Sequence, residues 1–295
     1  MSSSPCCCAD HTCSLHMSKY EKLELNDQVF RIGCHVGLVN SSIVKTLTKV
    51  NQLGMTSCQI FLGNPLSYNV KNLEKEKPLI LSFQEKTPSS SHFFVHAPYI
   101  INLASDKSET KEKSRVCLDK MLHELKDIDC SIVLHTGSRG KLSDVTEQLN
   151  LLTRDPGNPA VLLENSDGAG SKLGKNYDEL RRIAEGVDRS FKMGFCVDTA
   201  HLFTCGENNF ETASSGESVV EFLSDYRHRL IHLNDSKTCF CSHNDNHDGL
   251  CQGCIWKQDQ SSLQSLLQSS LADRVPVILE TPTSLDDLQN IERFF

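Results

Sequence analysis

Apolar residues along this chain fall into eight short runs separated by longer amphipathic segments. The runs lie at 30–37, 58–63, 92–98, 131–137, 160–165, 192–198, 229–235 and 275–282. Each run is apolar nearly throughout and contains β-branched or aromatic residues, a pattern typical of strands that are buried on both faces of a parallel sheet. The pattern therefore predicts eight buried strands.

The segments between the runs have the periodicity of amphipathic helices. One helix is predicted at 41–54, with Asn40 or Ser41 as its N-cap, and another at 108–128, with Val116 on its buried side. Further helices are predicted at 176–187, 215–229, 259–272 and 284–295. Strands and helices that alternate about every 30 residues indicate βαβ units.

Eight such units predict an α/β fold, a (β/α)8 TIM barrel that forms a single domain at 29–295. An open, doubly wound sheet is the competing topology, because the number of strands does not separate the two. Residues 1–28 are polar, irregular and rich in cysteine. We expect them to form a disordered extension; an accessory metal site is the alternative, although their spacing matches no standard zinc motif.

Composition narrows the class of protein. The formal net charge of −8 argues against simple electrostatic adhesion to nucleic acid, so a DNA partner would have to meet local basic residues or bound cations. Fourteen cysteines are present, many of them single within apolar runs, which favours reduced thiols. The sequence has neither a membrane-length apolar run nor a signal-peptide core. We expect a soluble, intracellular protein of the cytoplasm or nucleus.

Side chains of metal-ligand type stand at the ends of six of the eight predicted strands. They are His96, His135, Glu164, Asp198, His232 and Glu280. A barrel brings the carboxyl ends of its strands to one mouth, so these side chains should converge there. One histidine or carboxylate alone is more often a hydrogen-bonded or ion-paired structural residue. Six together favour a metal centre.

Three more potential ligands, His201, Asp245 and His247, lie in the segments that follow two of these strands. The nine side chains include four carboxylates, and their joint burial without cations would be severely unfavourable. Mixed imidazole and carboxylate donors suit zinc or manganese. Since one ion needs three or four ligands, nine indicate two or three metals.

These residues lie within phrases that resemble the endonuclease IV family of apurinic/apyrimidinic (AP) endonucleases. In the family's order, the phrases are "HAPYIINLAS" (96–105), "VLHTGS" (133–138), "LLENSDGAGSKLG" (162–174), "CVDTAHLFTCG" (196–206), "HLNDSK" (232–237), "DNH" (245–247) and "ILETP" (278–282). The resemblance spans about residues 30–295. It implies a TIM barrel with three zinc ions, with manganese possible at one site.

The resemblance also implies how the ligands are shared. They are His96, His135 and Glu164 for the first zinc; Glu164, Asp198, His232 and Glu280 for the second; and His201, Asp245 and His247 for the third. Glu164 and Glu280 are the implied catalytic residues, which steer the attacking water. Asp235 is expected to orient its loop rather than bind metal.

The activity implied by the resemblance belongs to base excision repair of DNA. The enzyme would hydrolyse the phosphodiester bond 5′ to an abasic site in double-stranded DNA and leave a 3′-hydroxyl and a 5′-deoxyribose phosphate. Metal ions suit this reaction because charge develops on the attacking, phosphoryl and leaving oxygens together. We expect the protein to act as a monomer.

Candidate DNA contacts are less specific. Tyr99 and Ile100 could intercalate at the lesion, or they could simply pack under their loop. Arg139 and Lys172 are basic residues on the expected DNA side, as are Lys141 and Lys175, but any of them could be ordinary solvated charge. Leu66 stands where the family often has an arginine, which puts that contact in doubt.

Two further alternatives stay open. Cys251 and Cys254 have CxxC spacing near Cys239 and Cys241, where the family has Gly-Glu-Gly, so an additional metal site or a redox-sensitive pair is possible there. The protein could also be a sugar isomerase or epimerase on the same barrel, or a metal-binding damage sensor without turnover. A third ligand set has no evident use in the isomerase.

Overall fold

The computed structural model describes residues 24–25, 28–87 and 92–294. Its strands are β1 (Glu24–Leu25), β2 (Gln28–Val29), β3 (Ile32–His35), β4 (Ser57–Ile60), β5 (Phe93–His96), β6 (Cys130–His135), β7 (Ala160–Glu164), β8 (Met193–Asp198), β9 (Arg229–Leu233), β10 (Asp235–Ser236), β11 (His247–Asp248) and β12 (Val277–Leu279). Its helices are α1 (Ile43–Gln52), α2 (Lys77–Lys86), α3 (Ser108–Leu125), α4 (Leu142–Asn150), α5 (Tyr177–Glu185), α6 (Thr199–Cys205), α7 (Ala213–Ser224), α8 (Ser261–Asp273) and α9 (Ser284–Ile291), followed by a 3₁₀ turn at Glu292–Phe294.

Eight of these strands close into a barrel in the order β3-β4-β5-β6-β7-β8-β9-β12. All neighbours are parallel, and β12 pairs with β9 on one side and with β3 on the other. The prediction of a TIM barrel is therefore confirmed, with each of the eight apolar runs supplying one strand. Because the ring of strands is closed, the alternative of an open, doubly wound sheet is excluded.

A small apolar cluster fills the inside of the barrel, separate from the larger core between strands and helices. Its members are Phe94, Val133, Leu162, Cys196, Leu230 and Ile278. Side chains of a strand alternate between its two faces, so a residue two positions further along points the same way. The residue two positions after each member is one of the six strand-end ligand candidates. Those candidates therefore form the next inward layer, at the mouth of the barrel.

Two strands approach their neighbours so closely that only glycine fits. A Cβ on Gly33 of β3 would lie 1.9 Å from the carbonyl oxygen of Ser57, and a Cβ on Gly194 of β8 would lie 1.7 Å from that of His228. Both glycines allow backbone to pack against backbone where the barrel closes.

Two details of the predicted helices are wrong. The N-cap of α1 is Ser42, whose hydroxyl accepts a hydrogen bond from the backbone N–H of Lys45, because Asn40 and Ser41 adopt left-handed φ angles of 48° and 56° in the turn before it. Val116 is 51% exposed.

The position of Val116 follows from the stripe that α3 buries. Its apolar members are Cys117, Leu118, Met121, Leu122 and Leu125. Successive helical residues are rotated by about 100°, so the residue just before this stripe points to solvent.

Three helices, α2, α4 and α6, were not predicted from the sequence.

The predicted extension at 1–28 lies outside the described residues, apart from β1 and the first residue of β2. These two short strands pair as an antiparallel hairpin just before the barrel begins. Among the described residues, no helix combines the length and the apolarity required to cross a bilayer.

Candidate metal centre

The barrel gathers all six strand-end candidates at its mouth. His96, His135, Glu164 and Asp198 are the last residues of β5, β6, β7 and β8; His232 is the penultimate residue of β9, and Glu280 directly follows β12. His201, Asp245 and His247 join them from the segments after β8 and β9. The structure thus brings together the nine side chains that the sequence singled out.

The first group consists of His96, His135 and Glu164. Oε2 of Glu164 lies 3.3 Å from Nε2 of His96 and 3.4 Å from Nδ1 of His135. The other ring nitrogen of His96, Nδ1, lies 2.7 Å from the carbonyl oxygen of Ala97. A carbonyl oxygen only accepts, so Nδ1 carries the proton. Nε2 then directs a lone pair at the carboxylate.

The second group surrounds His232. Its Nδ1 lies 2.9 Å from Oε1 of Glu164, 3.2 Å from Oε2 of Glu280 and 4.0 Å from Oδ2 of Asp198. Its Nε2 donates to the side-chain carbonyl of Gln59 at 2.8 Å. Nδ1 is therefore the nitrogen that faces the carboxylate oxygens. Ligand atoms of Glu164, Asp198, His232 and Glu280 all lie within 4.8 Å of one another.

The third group is arranged around Asp245. Its two oxygens lie 3.1 Å from Nε2 of His201 and 3.0 Å from Nε2 of His247. Nδ1 of His201 donates to the backbone carbonyl of Asn165 at 2.9 Å, so Nε2 is the nitrogen that remains to bind a metal ion. Asp198 belongs to this group as well, because its carboxylate lies within 4.8 Å of a ring nitrogen of His201 and of a ring nitrogen of His247. The sequence analysis had placed Asp198 only in the second group.

Metal ions would satisfy the ligand atoms of this site better than the hydrogen bonds among these atoms do. Buried Oε2 of Glu164 and Nε2 of His247 have no hydrogen-bond partner among the described residues, although ring nitrogens or carboxylate oxygens lie nearby. A buried polar atom without a partner costs about 1–3 kcal/mol. Cations between the facing lone pairs would satisfy these atoms. Imidazole and carboxylate donors in groups of three or four are a zinc-type ligand set.

The electrostatic field of the site favours positive charge. Although burial opposes protonation, the charge of Asp198 raises the pKa of His201 well above its usual value. Against the same opposing effect of burial, the charges of Asp198 and Asp245 raise the pKa of His247 to about 9. Burial raises the pKa of Asp198 itself. A field that attracts protons so strongly also attracts divalent cations.

Three buried amides hold Asp198 and Glu280 in place by their side chains or backbone, and none of them was predicted from the sequence. The side-chain amide of Asn234 donates to Oδ2 of Asp198 at 2.6 Å and accepts from the backbone N–H of Glu280 at 2.9 Å. Oδ1 of Asn165 accepts from the backbone N–H of Asp198 at 2.7 Å. Gln59 is the third. Each lies in or next to an apolar run, so polarity inside a run was the available signal.

Asp235 orients the loop that carries part of the third group. Its carboxylate accepts hydrogen bonds from the backbone N–H groups of Ser236, Gly253 and Ile255 at 2.8, 3.2 and 2.9 Å. The strand that begins with it, β10, pairs antiparallel with β11, which places Ser236 opposite His247. The structure thus agrees with the role expected for Asp235.

A cavity of about 420 Å³ opens over the three groups. Seven of the nine candidates line it, namely His96, His135, Glu164, His201, Asp245, His247 and Glu280. Asp198 and His232 lie beneath it, since both are fully buried. A substrate in this cavity would meet the three groups from the outside of the barrel.

The rim of the cavity bears exposed apolar residues. Tyr99 and Ile100, in the loop after β5, are 54% and 37% exposed, so they do not simply pack under that loop. The Tyr99 ring lies 5.2 Å from the His96 ring, and the Tyr68 hydroxyl donates to the carbonyl oxygen of Ile100 at 3.2 Å. Leu66 is 71% exposed in the loop after β4.

The four basic candidates differ in their surroundings. Lys172 lines the cavity, and its amine lies 2.7 Å from Oδ1 of the buried Asp167, which neutralises part of its charge. Arg139 is exposed, with a left-handed φ of 70°. Lys141 and Lys175 are also exposed in the loops after β6 and β7.

The four loop cysteines do not assemble a metal site within the described part of the chain. Cys239, Cys241, Cys251 and Cys254 are free thiols, and none of them belongs to a group of three potential ligands. The thiol of Cys254 contacts that of Cys239, while the Cys251 sulfur lies 3.9 Å from Arg293. The CxxC spacing therefore has no third ligand beside it within the described residues.

Comparison with known proteins shows which family the chain belongs to. Residues 47–293 match the family described as xylose isomerase-like TIM barrel. The chain is 31% identical over 268 residues to a probable endonuclease 4 of Halothermothrix orenii, covering 85% of this chain and 93% of that protein. It is 33% identical over 273 residues to a probable endonuclease 4 of Natranaerobius thermophilus, covering 88% and 94%.

A solved structure extends the likeness to three dimensions. The crystal structure of endonuclease IV from Thermus thermophilus superposes with a TM-score of 0.75 at 25% identity, covering 90% of this chain and 98% of that one. Sequence and structure agree over most of both chains. The chain therefore belongs to the endonuclease IV family, within the xylose isomerase-like TIM barrels.

Proposed function

We propose that this protein is a zinc-dependent AP endonuclease of base excision repair. It hydrolyses the phosphodiester bond 5′ to an abasic site in double-stranded DNA, as a monomer, and leaves a 3′-hydroxyl and a 5′-deoxyribose phosphate. One observation carries the proposal: His96, His201 and His232 each hold one ring nitrogen against a protein oxygen and turn the other nitrogen towards a carboxylate of the site. Such outer hydrogen bonds fix the tautomer of metal-binding histidines and leave the inner nitrogen to ligate a cation.

Three zinc ions would be held by the three groups, and manganese could replace zinc at one of them. The residues are His96, His135 and Glu164; Glu164, Asp198, His232 and Glu280; and His201, Asp245 and His247, with Asp198 close enough to assist. All of them lie within 29–295, the proposed catalytic domain. When bound, the ions supply positive charge for the phosphoryl and leaving oxygens and lower the pKa of a water.

The two catalytic glutamates have different surroundings and hence different tasks. Glu164 is 1% exposed, and histidines face both of its oxygens, so it holds the first two groups in register. Glu280 is 14% exposed, lines the cavity and can reach a water there. We assign Glu280 to steering the attacking water into line with the scissile bond.

Lesion recognition would use the apolar rim. An abasic nucleotide has lost its pairing partner, so it leaves the duplex at a lower energetic cost than an intact one. Tyr99 and Ile100 would insert at the gap; the exposure of both side chains and the position of Tyr99 beside the His96 ring support this role. Arg139 and Lys172 would contact phosphates, since both lie in the loops after β6 and β7. Bound cations would offset part of the net charge of −8.

The test is incision of a duplex with a single abasic analogue. The labelled duplex is incubated with zinc-loaded protein, with and without a chelator, and an undamaged duplex serves as control. We expect one cut 5′ to the analogue, abolished by the chelator, with a 3′ end that a DNA polymerase can extend. Specific binding without a cut would instead support a damage sensor and overturn the proposal.

A sugar isomerase is the alternative enzyme on this barrel. It would use the first two groups, whereas His201, Asp245 and His247 would have no evident task in it. Interconversion of an aldose and a ketose by the metal-loaded protein, with the abasic duplex left intact, would favour the isomerase.

A further inference from the structure

Gln59 links residues of the metal centre although its strand, β4, supplies none of the proposed ligands. Its side chain is fully buried at the barrel mouth. Its amide contacts three side chains, namely His232 (2.8 Å), Glu280 (2.5 Å) and His35 (3.0 Å). Two of the three are proposed ligands of the second zinc.

The chemistry of these partners fixes which way the amide points. The NH2 group donates to Oε1 of Glu280 and lies 3.0 Å from Nδ1 of His35, while the carbonyl oxygen faces Nε2 of His232. The reverse orientation would place the side-chain carbonyl oxygen of Gln59 against the carboxylate of Glu280. Both atoms are acceptors, so no hydrogen bond could form between them. Nε2 of His232 must therefore donate to Gln59.

This contact determines what His232 presents to the metal. With Nε2 donating to Gln59, Nδ1 is the nitrogen that faces Glu164 and Glu280 and is available to a metal ion. The same amide also holds Glu280 by Oε1, which leaves Oε2 facing His232 at 3.2 Å. One side chain thus orients two ligands of one group from behind.

We propose that Gln59 is the positioning residue of the second metal site: it fixes the tautomer of His232 and the orientation of Glu280. It contacts neither substrate nor metal and acts through these two ligands. Partners of this kind typically change metal affinity or activity by about 10- to 100-fold. The proposal rests on the proposed zinc centre.

The test is the zinc affinity of Gln59→Met, which keeps the length of the side chain but removes its hydrogen bonds to the ligands. Gln84→Met is the matched control. Gln84 lies in α2, is also buried, and its side-chain amide both donates to and accepts from the backbone of Asp129. Zinc is titrated in competition with a chromogenic chelator. We expect Gln59→Met to weaken one of the three sites about 10- to 100-fold and Gln84→Met to weaken none.

A second measurement needs no variant. In the zinc-loaded wild-type protein, ¹⁵N nuclear magnetic resonance of the imidazoles reports which nitrogen of His232 carries the proton. We expect Nε2, and a proton on Nδ1 would overturn the proposal even if Gln59→Met did not fold. Unchanged zinc affinity in a folded Gln59→Met protein would overturn it as well, with the zinc centre left standing. A wild-type protein that binds no zinc would overturn both the role of Gln59 and the proposed zinc centre.

Discussion

Glu164 is the residue on which most of the centre converges. His96 and His135 face one of its oxygens, and His232 faces the other at 2.9 Å. An amide in its place would keep the shape but lose the charge, and its NH2 group would point hydrogens at one side of the site. The first two metal groups share this carboxylate, so they should fail together.

We therefore expect Glu164→Gln to bind two fewer zinc ions and to lose incision by about 10²-fold or more, in the range of such catalytic groups. Elemental analysis and the incision assay measure the two effects. Glu147→Gln, which removes the same charge from the exposed surface of α4, is the control and should change neither. A Glu164→Gln protein with full zinc content and full activity would contradict the shared role.

Leu66 offers a second test at the level of one residue. It is 71% exposed in the loop after β4, at the position where the resemblance described in the sequence analysis implies an arginine. Leu66→Arg should bind an undamaged duplex more tightly, and the slope of log affinity against log salt should steepen by about 1, because one more phosphate contact releases one more counterion.

The control for this change is Leu151→Arg. Leu151 is 57% exposed at the C-cap of α4, which leads to the start of β7 and so lies at the opposite end of the barrel. It adds the same charge away from the proposed DNA surface. Fluorescence anisotropy over a range of salt concentrations compares the two proteins, and equal slopes would mean that the loop of Leu66 does not approach DNA.

Sequence predicted the ligands better than their partners. His96, His135 and the other strand-end candidates stand out because a charged or imidazole group at the end of an apolar run needs an explanation. Gln59 and Asn234 do not stand out, because a buried amide is meaningful only through what it touches. The sharing of Asp198 between two groups likewise depends on how α6 places His201 close to it.

At the level of elements, the strands were predictable because each is buried on both faces and therefore apolar nearly throughout. The buried face and the N-cap of a helix were less predictable. The face of α3 was misjudged at Val116, which is exposed although Cys117 and Leu118 directly after it are buried. The turn before α1 uses two non-glycine residues with left-handed φ, which no local pattern signalled.

The tight approach of β8 to its neighbour gives a test of the barrel. Gly194→Ala would place a Cβ 1.7 Å from the carbonyl oxygen of His228, so the strands must separate. We expect a loss of about 2–3 kcal/mol in the free energy of unfolding, which corresponds to roughly 2–4 °C per kcal/mol in melting temperature for a chain of this size.

Gly37→Ala is the matched control, since a Cβ there would meet no atom within 4 Å. Thermal unfolding followed by circular dichroism compares the two. If Gly194→Ala melted with the wild type, the close approach would not exist in solution.

At the scale of the whole molecule, one barrel mouth collects ligands that are far apart in the sequence. Three carboxylates, on Glu164, Asp198 and Glu280, have oxygens within 4.8 Å of one another, and they would repel strongly without cations. The fold tolerates this because the groups sit on strand ends that the apolar layers below hold in place. Stability and metal binding should therefore be coupled.

Chelation should accordingly lower the melting temperature, and added zinc should restore it. A ligand at about 100 times its dissociation constant stabilises the folded state by about 2.7 kcal/mol for each site. Differential scanning calorimetry with chelator, and then with excess zinc, measures the change. Magnesium at the same concentration is the control, because it prefers oxygen donors to imidazole. Identical melting curves in all conditions would mean that no metal binds the folded chain.

The most direct test of the account is the zinc content of the purified wild-type protein after incubation with zinc and gel filtration, measured by mass spectrometry of the elements. The facing imidazoles and carboxylates predict three zinc ions per chain, one for each group described at the barrel mouth. A folded chain that retains no zinc would contradict the account, because its buried carboxylates would then be held together without cations.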